Sequence, residues 1–266
     1  MPLDYKLYKH AWIYDGSIAK ELQLNKEQVN ELLSHGGWMV RNIYDFDCHS
    51  QTNFWFVLKD TFGGMEELST KTRNQVRKGL ANYTVRRVTK DEMMQFGYSI
   101  YTAAAASYKI HLDTPSLSSY NRRIQEADSS IEFWGAFNSN NQMVAFSINH
   151  VIDTFCDYQT MKAIPEDMKN YAYYALIYVM NQYYLEERKL DFVNDGARSI
   201  TEHSNIQPFL ESKFNFRKAY CHLKIYYKWW LGIIIWGLYP FRHFIPNNAV
   251  KAILNMHGMQ SRLENK

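Results

Sequence analysis

Apolar positions along this chain switch between a helical and an extended period. Val29, Leu32 and Leu33 fall on one helical stripe, with Asn25 as cap, Gln28 three residues on, and Gly36-Gly37 as the stop. Trp38-Met39-Val40 and Phe54-Trp55-Phe56-Val57-Leu58 are apolar runs of strand length separated by a polar loop. Ser69 caps a further helix in which Val76 and Leu80 lie four apart while Lys71, Arg73, Arg77 and Lys78 crowd the other faces. Val85 to Val88 reads as a strand. Asp91 to Tyr108 and Ser116 to Ala127 read as helices, the second entered through Thr114-Pro115-Ser116.

Three strands follow in quick succession, Glu132 to Phe137, Met143 to Ile152 and Thr154 to Ala163. The turn Asn138-Ser139-Asn140-Asn141 and the single Asp153 between them suit antiparallel hairpins. Pro165 opens a long predicted helix, Asp167 to Glu187, whose six tyrosines must bury rings on more than one side. Leu190 to Asn194 reads as a strand, Ser199 to Lys213 as a helix and Phe216 to Tyr227 as a strand. No internal repeat or flexible linker interrupts the series. The pattern predicts an α+β chain: a core over 66–227, an N-terminal α+β extension over 1–65 packed on it, and a C-terminal helical segment over 228–266.

One stretch of that last segment stands apart. Trp229 to Phe241 carries no charge and is bracketed by Lys228 on one side and Arg242 and His243 on the other. A spanning helix needs about 20 apolar residues, so this one is too short to cross a bilayer. Trp and Tyr favour the depth of lipid headgroups, and the cationic flanks match a helix lying in the membrane surface over 229–245. A helix packed on the body, or on a second copy of the chain, is the alternative.

Composition narrows the remaining choices. Thirty Lys and Arg against 27 Asp and Glu leave +3, too little for a protein that neutralises many phosphates along a duplex. Cys48, Cys156 and Cys221 are far apart, with no CxxC pair and no His at zinc-ligand spacing, so no metal is expected and a reducing compartment is. The first residues lack the basic and apolar regions of an export signal. A cytoplasmic protein, peripheral on the inner face of the membrane if 229–245 meets lipid, is the expectation.

From residue 83 the order is strand, helix, helix, three antiparallel strands, helix, strand, helix, strand, which resembles the GNAT acyltransferase superfamily. The basic helix Lys71-Thr72-Arg73-Asn74-Gln75-Val76-Arg77-Lys78-Gly79 before the first core strand is similar to the "K-x-R-x-x-[IV]-R-K-[AG]" of its Fem-like branch, the peptidoglycan aminoacyltransferases. Phe209 to Lys218 is similar to the "lyekkGFrk" ending of a GNAT domain, with Asn215-Phe216 in place of the Gly-Phe. The resemblance spans about 66–227 and implies a GNAT-like fold: a mixed, mostly antiparallel central sheet flanked by helices. It departs at the loop that binds the pyrophosphate of coenzyme A, usually [RQ]-x-x-G-x-[GA]. Met161 to Ala172 stands there and contains no glycine. Glu211 occupies the place where these enzymes often carry a tyrosine acid.

The implied reaction is attack of an amine on an activated acyl carbon, which needs a base, an acid for the leaving group and donors for the oxyanion. The acyl donor is acyl-CoA, acetyl-CoA foremost, or aminoacyl-tRNA as in the Fem-like branch. The alternative from another class is a non-catalytic GNAT-shaped binding protein that has lost donor binding, consistent with the glycine-free loop. The acceptor is a small molecule or a lipid-linked or cell-surface precursor. The densest polar cluster is Asn194 to Asn205, at a strand end and helix start. Asp195 is the first candidate for a catalytic carboxylate, with Glu202 and His203 beside it and Arg198 and Ser199 toward the acceptor. The structural alternative makes Asp195-Gly196 a turn, Ser199 or Thr201 a cap, Glu202 its first-turn acid and His203 a solvated side chain. By the family register, Gln159, Met161, Lys162 and Ala163 line the pantetheine arm, and Lys169, Asn170, Tyr171 and Asn205 complete the donor site. Arg73 and Arg77 would hold an anionic acceptor or phosphate, or simply form a solvated face. His111 and Asp113 would border the acceptor pocket.

Overall fold

A computed structural model describes residues 5–108, 114–199 and 206–260. Its contacts divide the chain into two compact units. The first comprises the described parts of 1–56, 197–202 and 218–266; the second those of 57–196 and 203–217.

In the first unit β1 (Tyr5–Tyr8) and β2 (Ala11–Tyr14) form an antiparallel hairpin. Strand β3 (Met39–Tyr44) runs parallel to β2. The strand β10 (Arg217–Tyr227), of which 218–227 belong to this unit, pairs antiparallel with β3, His222 opposite Tyr44 and Tyr227 opposite Met39. Helix α1 (Lys26–Ser34) starts with the expected capping box between Asn25 and Gln28. It lays Val29 and Leu32 against Tyr5, Trp12 and Val40, a small core of its own. At the far end of the sequence lie α9 (Trp229–Leu238), a short 3₁₀ turn (Tyr239–Phe241) and α10 (Asn248–Gly258). No helix among the described residues is long and apolar enough to cross a membrane. The strand β4 (Phe54–Lys59) passes from this unit into the second at Val57.

The second unit holds the meander. Strands β5 (Thr84–Val88), β6 (Ile131–Phe137), β7 (Met143–Ile152) and β8 (Phe155–Ala163) pair antiparallel in sequence order, and β9 (Phe192–Ala197) joins β8 in parallel. Helices α3 (Lys90–Glu92) and α4 (Tyr98–Ala106), joined by a π-helical turn, and α5 (Leu117–Gln125) bury Met93, Ile100, Tyr120 and Ile124 against Phe133, Phe137, Phe146 and Ile148. Helix α2 (Thr70–Asn82) is capped by Ser69 as expected, but its buried face is Thr72, Val76 and Gly79, and Leu80 is exposed. Glycine is required there. A Cβ on Gly79 would stand 2.6 Å from the carbonyl oxygen of Tyr171 and 3.1 Å from the amide nitrogen of Ala175, both main-chain atoms.

Three expected elements are revised. The long helix predicted from 167 to 187 breaks into α6 (Pro165–Lys169), α7 (Ala172–Asn181) and a π-helical turn (Gln182–Glu187). The break falls at Tyr171, whose φ of 72° is left-handed, a conformation that costs an L-residue roughly 1–2 kcal/mol. The strand expected at Leu190 to Asn194 instead runs from Phe192 to Ala197, so Asp195 lies within β9 and not in a turn after it. The helix expected from Ser199 is described as α8 (Ile206–Phe214), and Ser199 itself is an exposed residue before it.

Candidate active site

The two parallel strands of the second unit pair over only three rungs: Phe155 with Phe192, Cys156 with Val193 and Asp157 with Asn194. Beyond that rung β8 continues to Ala163 and β9 to Ala197, and pairing between these two strands goes no further among the described residues; β8 stays paired to β7 on its other side. A splayed pair of this kind leaves main-chain N–H and C=O groups on the facing edges available to a ligand. Tyr158 and Asp195 are the first residues past the last rung.

Polar side chains close the narrow end of the splay. The Asn194 amide donates to Asp157 Oδ1 at 2.7 Å, and its own oxygen accepts from the Gly196 main-chain N–H at 2.9 Å. Gly196 takes a φ of 95°, where a side chain would be strained. Asp195 is half-buried. Its burial, and then the charge of Asp157, push its carboxyl up to about 8, against a hydrogen bond from Gln207 that acts the other way. A carboxyl poised there exchanges protons with amines and water near neutral pH, as a general base requires. The Tyr158 hydroxyl donates to Asn181 Oδ1 at 2.9 Å, and the fully buried Asn181 amide nitrogen has no hydrogen-bond partner among the described residues.

Behind this lies a buried polar network. The Tyr184 hydroxyl donates to Glu132 Oε2 at 2.8 Å and accepts from Trp134 Nε1 at 2.8 Å and from the Asn149 amide at 3.3 Å. Glu132 is also paired with Arg188 at 2.9 Å and Arg87 at 3.4 Å. Every member comes from β5, β6, β7 or the α7 side, so the network fixes the helix against the sheet that carries β8.

Along β8, Gln159 is exposed and lines a cleft of about 390 Å³ together with Arg122, Arg123, Phe133 and Ile148. Its amide nitrogen lies 3.3 Å from His150 Nδ1. Lys162 donates to the Tyr108 hydroxyl at 3.0 Å, and its ammonium sits 4.8 Å and 5.4 Å from the ring centres of Tyr108 and Tyr101. Met161 is half-buried and Ala163 buried; they pair with Ser147 and Ala145 of β7. Lys169, exposed, pairs with Glu166, and the Asn170 side chain donates to the Glu166 carbonyl. Tyr171 supplies the left-handed residue that the glycine-free loop would otherwise have taken from glycine.

The basic helix is split in its roles. Arg73 is held by the Leu68 carbonyl at 3.3 Å and by Glu66 at 3.7 Å, whereas Arg77 is exposed. Lys78 lies 6.0 Å from the Tyr171 ring centre, which places α2 over the start of α7. Arg198 belongs to the first unit, where it donates to the Asn53 carbonyl at 2.7 Å and stacks 4.3 Å from the Trp55 ring centre. His111, Asp113, Glu202, His203 and Asn205 lie outside the described residues. Asp157, Gln207, Tyr158 and Asn181 were not foreseen as site residues, although a charged Asp157 inside the apolar run Phe155-Cys156-Asp157-Tyr158 is a visible break in pattern.

No protein-family model and no curated protein matches the sequence. Solved structures do. The crystal structure of FemX matches with a TM-score of 0.53 at 11% identity, over 73% of this chain and 75% of that one. L-PGS from Bacillus licheniformis matches with a TM-score of 0.47 at 13% identity, over 90% of this chain and 72% of that one. The spermidine/spermine N-acetyltransferase SpeG from Vibrio cholerae matches with a TM-score of 0.33 at 13% identity, over 42% of this chain and 66% of that one. The match to FemX shows a GNAT-like fold.

Proposed function

We propose that this protein is an N-acyltransferase that moves an acyl group from acyl-CoA, acetyl-CoA foremost, to an amine. The observation that carries the reading is the position of Asp195, a carboxyl raised to about 8 on the first residue past the last rung between two splaying parallel strands. The open edge of β8 from Tyr158 to Ala163 accommodates an extended amide-bearing donor arm by main-chain hydrogen bonding, as an added strand would. Asp195 takes a proton from the acceptor ammonium, the freed amine attacks the acyl carbon, and as the carbon–sulfur bond breaks the leaving sulfur takes the proton that the attacking nitrogen gives up. No covalent enzyme intermediate is involved.

Aminoacyl-tRNA is the second donor reading, favoured by the glycine-free loop and by the exposed basic residues Lys71, Arg77 and Lys78 on α2. The acceptor reading draws on the first unit. Trp229, Ile233 and Trp236 recur at helical spacing on α9 with exposures of 79%, 63% and 80%, and Phe241 and Phe244 follow at 60% and 85%. The opposite stripe, Leu231 and Ile235, is buried. Exposed apolar surface of this extent marks an interaction site, and Lys228, Arg242 and His243 beside it suit anionic headgroups. We therefore place the protein on the cytoplasmic face of a membrane, with a lipid-linked precursor as acceptor.

The test is thiol release from acetyl-CoA in the presence of a panel of amine acceptors on anionic vesicles. Release that depends on acceptor and disappears in Asp195→Asn, with folding retained, supports the reading. Undiminished release in that variant removes Asp195 from the mechanism.

A further inference from the structure

The first unit gathers three metal-ligating side chains that acyl transfer does not use. Asp45 and Cys48 follow β3 and His222 lies on β10, and a carboxylate oxygen, the thiol sulfur and an imidazole nitrogen all stand within 4.8 Å of one another. His222 Nε2 is 3.5 Å from Asp45 Oδ2.

The backbone builds this cluster. His222 is the cross-strand partner of Tyr44, whose ring stacks on the imidazole with centres 5.2 Å apart and near-parallel planes. The Cys48 main-chain N–H donates to the Tyr220 carbonyl at 2.9 Å, so the chain leaving β3 folds back onto the strand that carries the imidazole. That reversal is made by Asp45 and Asp47, both left-handed at φ of 55° and 60°, a conformation aspartate tolerates better than most residues. Glu21 adds a further carboxylate, accepting from the Asp45 main-chain N–H at 3.2 Å. The Asp45 carboxylate thus stands beside the thiol and the imidazole, with a second carboxylate on its main-chain N–H, a setting that favours a cation.

We propose that Asp45, Cys48 and His222 bind a divalent transition-metal ion of the zinc class. One thiolate, one imidazole and one carboxylate form the mixed donor set that zinc takes, with bonds of about 2.0–2.3 Å in tetrahedral arrangement. Magnesium and calcium prefer all-oxygen sets, so the sulfur and nitrogen select against them. Binding draws the three side chains together and takes Cys48 as its thiolate. The ion would fasten the segment after β3 to β10. The sequence concealed the site because its ligands come from opposite ends of the chain, with none of the short spacings that mark zinc motifs.

The test is titration of the metal-free full-length protein with cobalt(II), which reports a sulfur ligand through thiolate-to-metal charge-transfer absorption. The band should saturate at one equivalent and be displaced by zinc. It should vanish in Cys48→Ala and persist in Cys156→Ala and Cys221→Ala. Asp45→Asn and His222→Gln, at partly exposed positions that leave the thiol in place, should weaken binding by about tenfold or more. Absence of the band in the wild-type protein, or its survival in Cys48→Ala, would overturn the proposal. Unchanged cobalt affinity in both Asp45→Asn and His222→Gln would overturn it as well.

Discussion

Asn194 and Asp157 are joined by a 2.7 Å hydrogen bond across the last rung of a parallel ladder, and the carboxyl of Asp195 begins where that ladder ends. The Asp157 charge is therefore fixed next to the group proposed as base, and it raises that group's pKa. Asp157→Asn keeps the hydrogen-bonding shape and removes the charge. The ascending limb of the pH–rate profile, with its inflection near 8 in the wild type, should move to lower pH. It should stay above the ordinary carboxylate range, because burial is the larger cause. Thiol release measured across pH checks this.

The same carboxyl makes stability depend on pH. Its folded value of about 8 lies above the unfolded one, near 3.9 for aspartate, so between those values the native state holds a proton that the unfolded state has lost. Stability on this account falls as pH rises through that window and is fully reduced above it. Asp195→Asn should resemble the wild type at pH near 4 and exceed it at pH 9, by on the order of a few kcal/mol. Urea unfolding at the two pH values provides the comparison.

Gly79 offers a test in which two simple rules disagree. In an exposed helix, alanine in place of glycine gains about 1 kcal/mol. Here the added methyl meets the main-chain oxygen of Tyr171 and nitrogen of Ala175, and such overpacking costs about 1–3 kcal/mol. Gly79→Ala should lower the urea midpoint and should disturb the α6–α7 break more than the rest of the unit, which amide hydrogen exchange would resolve.

Tyr184→Phe removes one hydroxyl and leaves two buried groups short of a partner, Trp134 Nε1 and Glu132 Oε2, while the Asn149 amide keeps the Met180 sulfur. Each unsatisfied group costs about 1–3 kcal/mol. The loss should reach at least about 2 kcal/mol, with the slope of the denaturation curve unchanged. A near-neutral effect would mean that water replaces the hydroxyl.

The exposed face of α9 predicts binding to anionic vesicles in flotation. Replacing Trp229 and Trp236 together by serine should abolish it without loss of folding, since both rings stand in solvent. Raising salt should weaken wild-type flotation by screening Lys228 and Arg242.

Much of this fold was legible because local signals matched the final packing. Asn25 and Ser69 cap their helices as their side chains suggest, and Asn141 and Asp153 fall in the hairpin connections expected there, both with left-handed φ. Leu80 misled because spacing alone does not say which face of a basic helix meets the core, and here the close approach of α7 selects Gly79. The helix break at Tyr171 carried no glycine or proline at the break to announce it. Asp195 was legible as a chemical residue, but its neighbours were not. Asp157 and Gln207 come from other elements, and their effect on it arises from pairing and burial that no periodicity records.

Donor binding tests the central claim most directly. In calorimetric titrations of the full-length protein with acetyl-CoA, longer acyl-CoAs and charged tRNA, acetyl-CoA should give a saturable heat at one site. Saturation by charged tRNA alone would transfer the account to the aminoacyl donor. No heat with any of the three would contradict the acyltransferase reading.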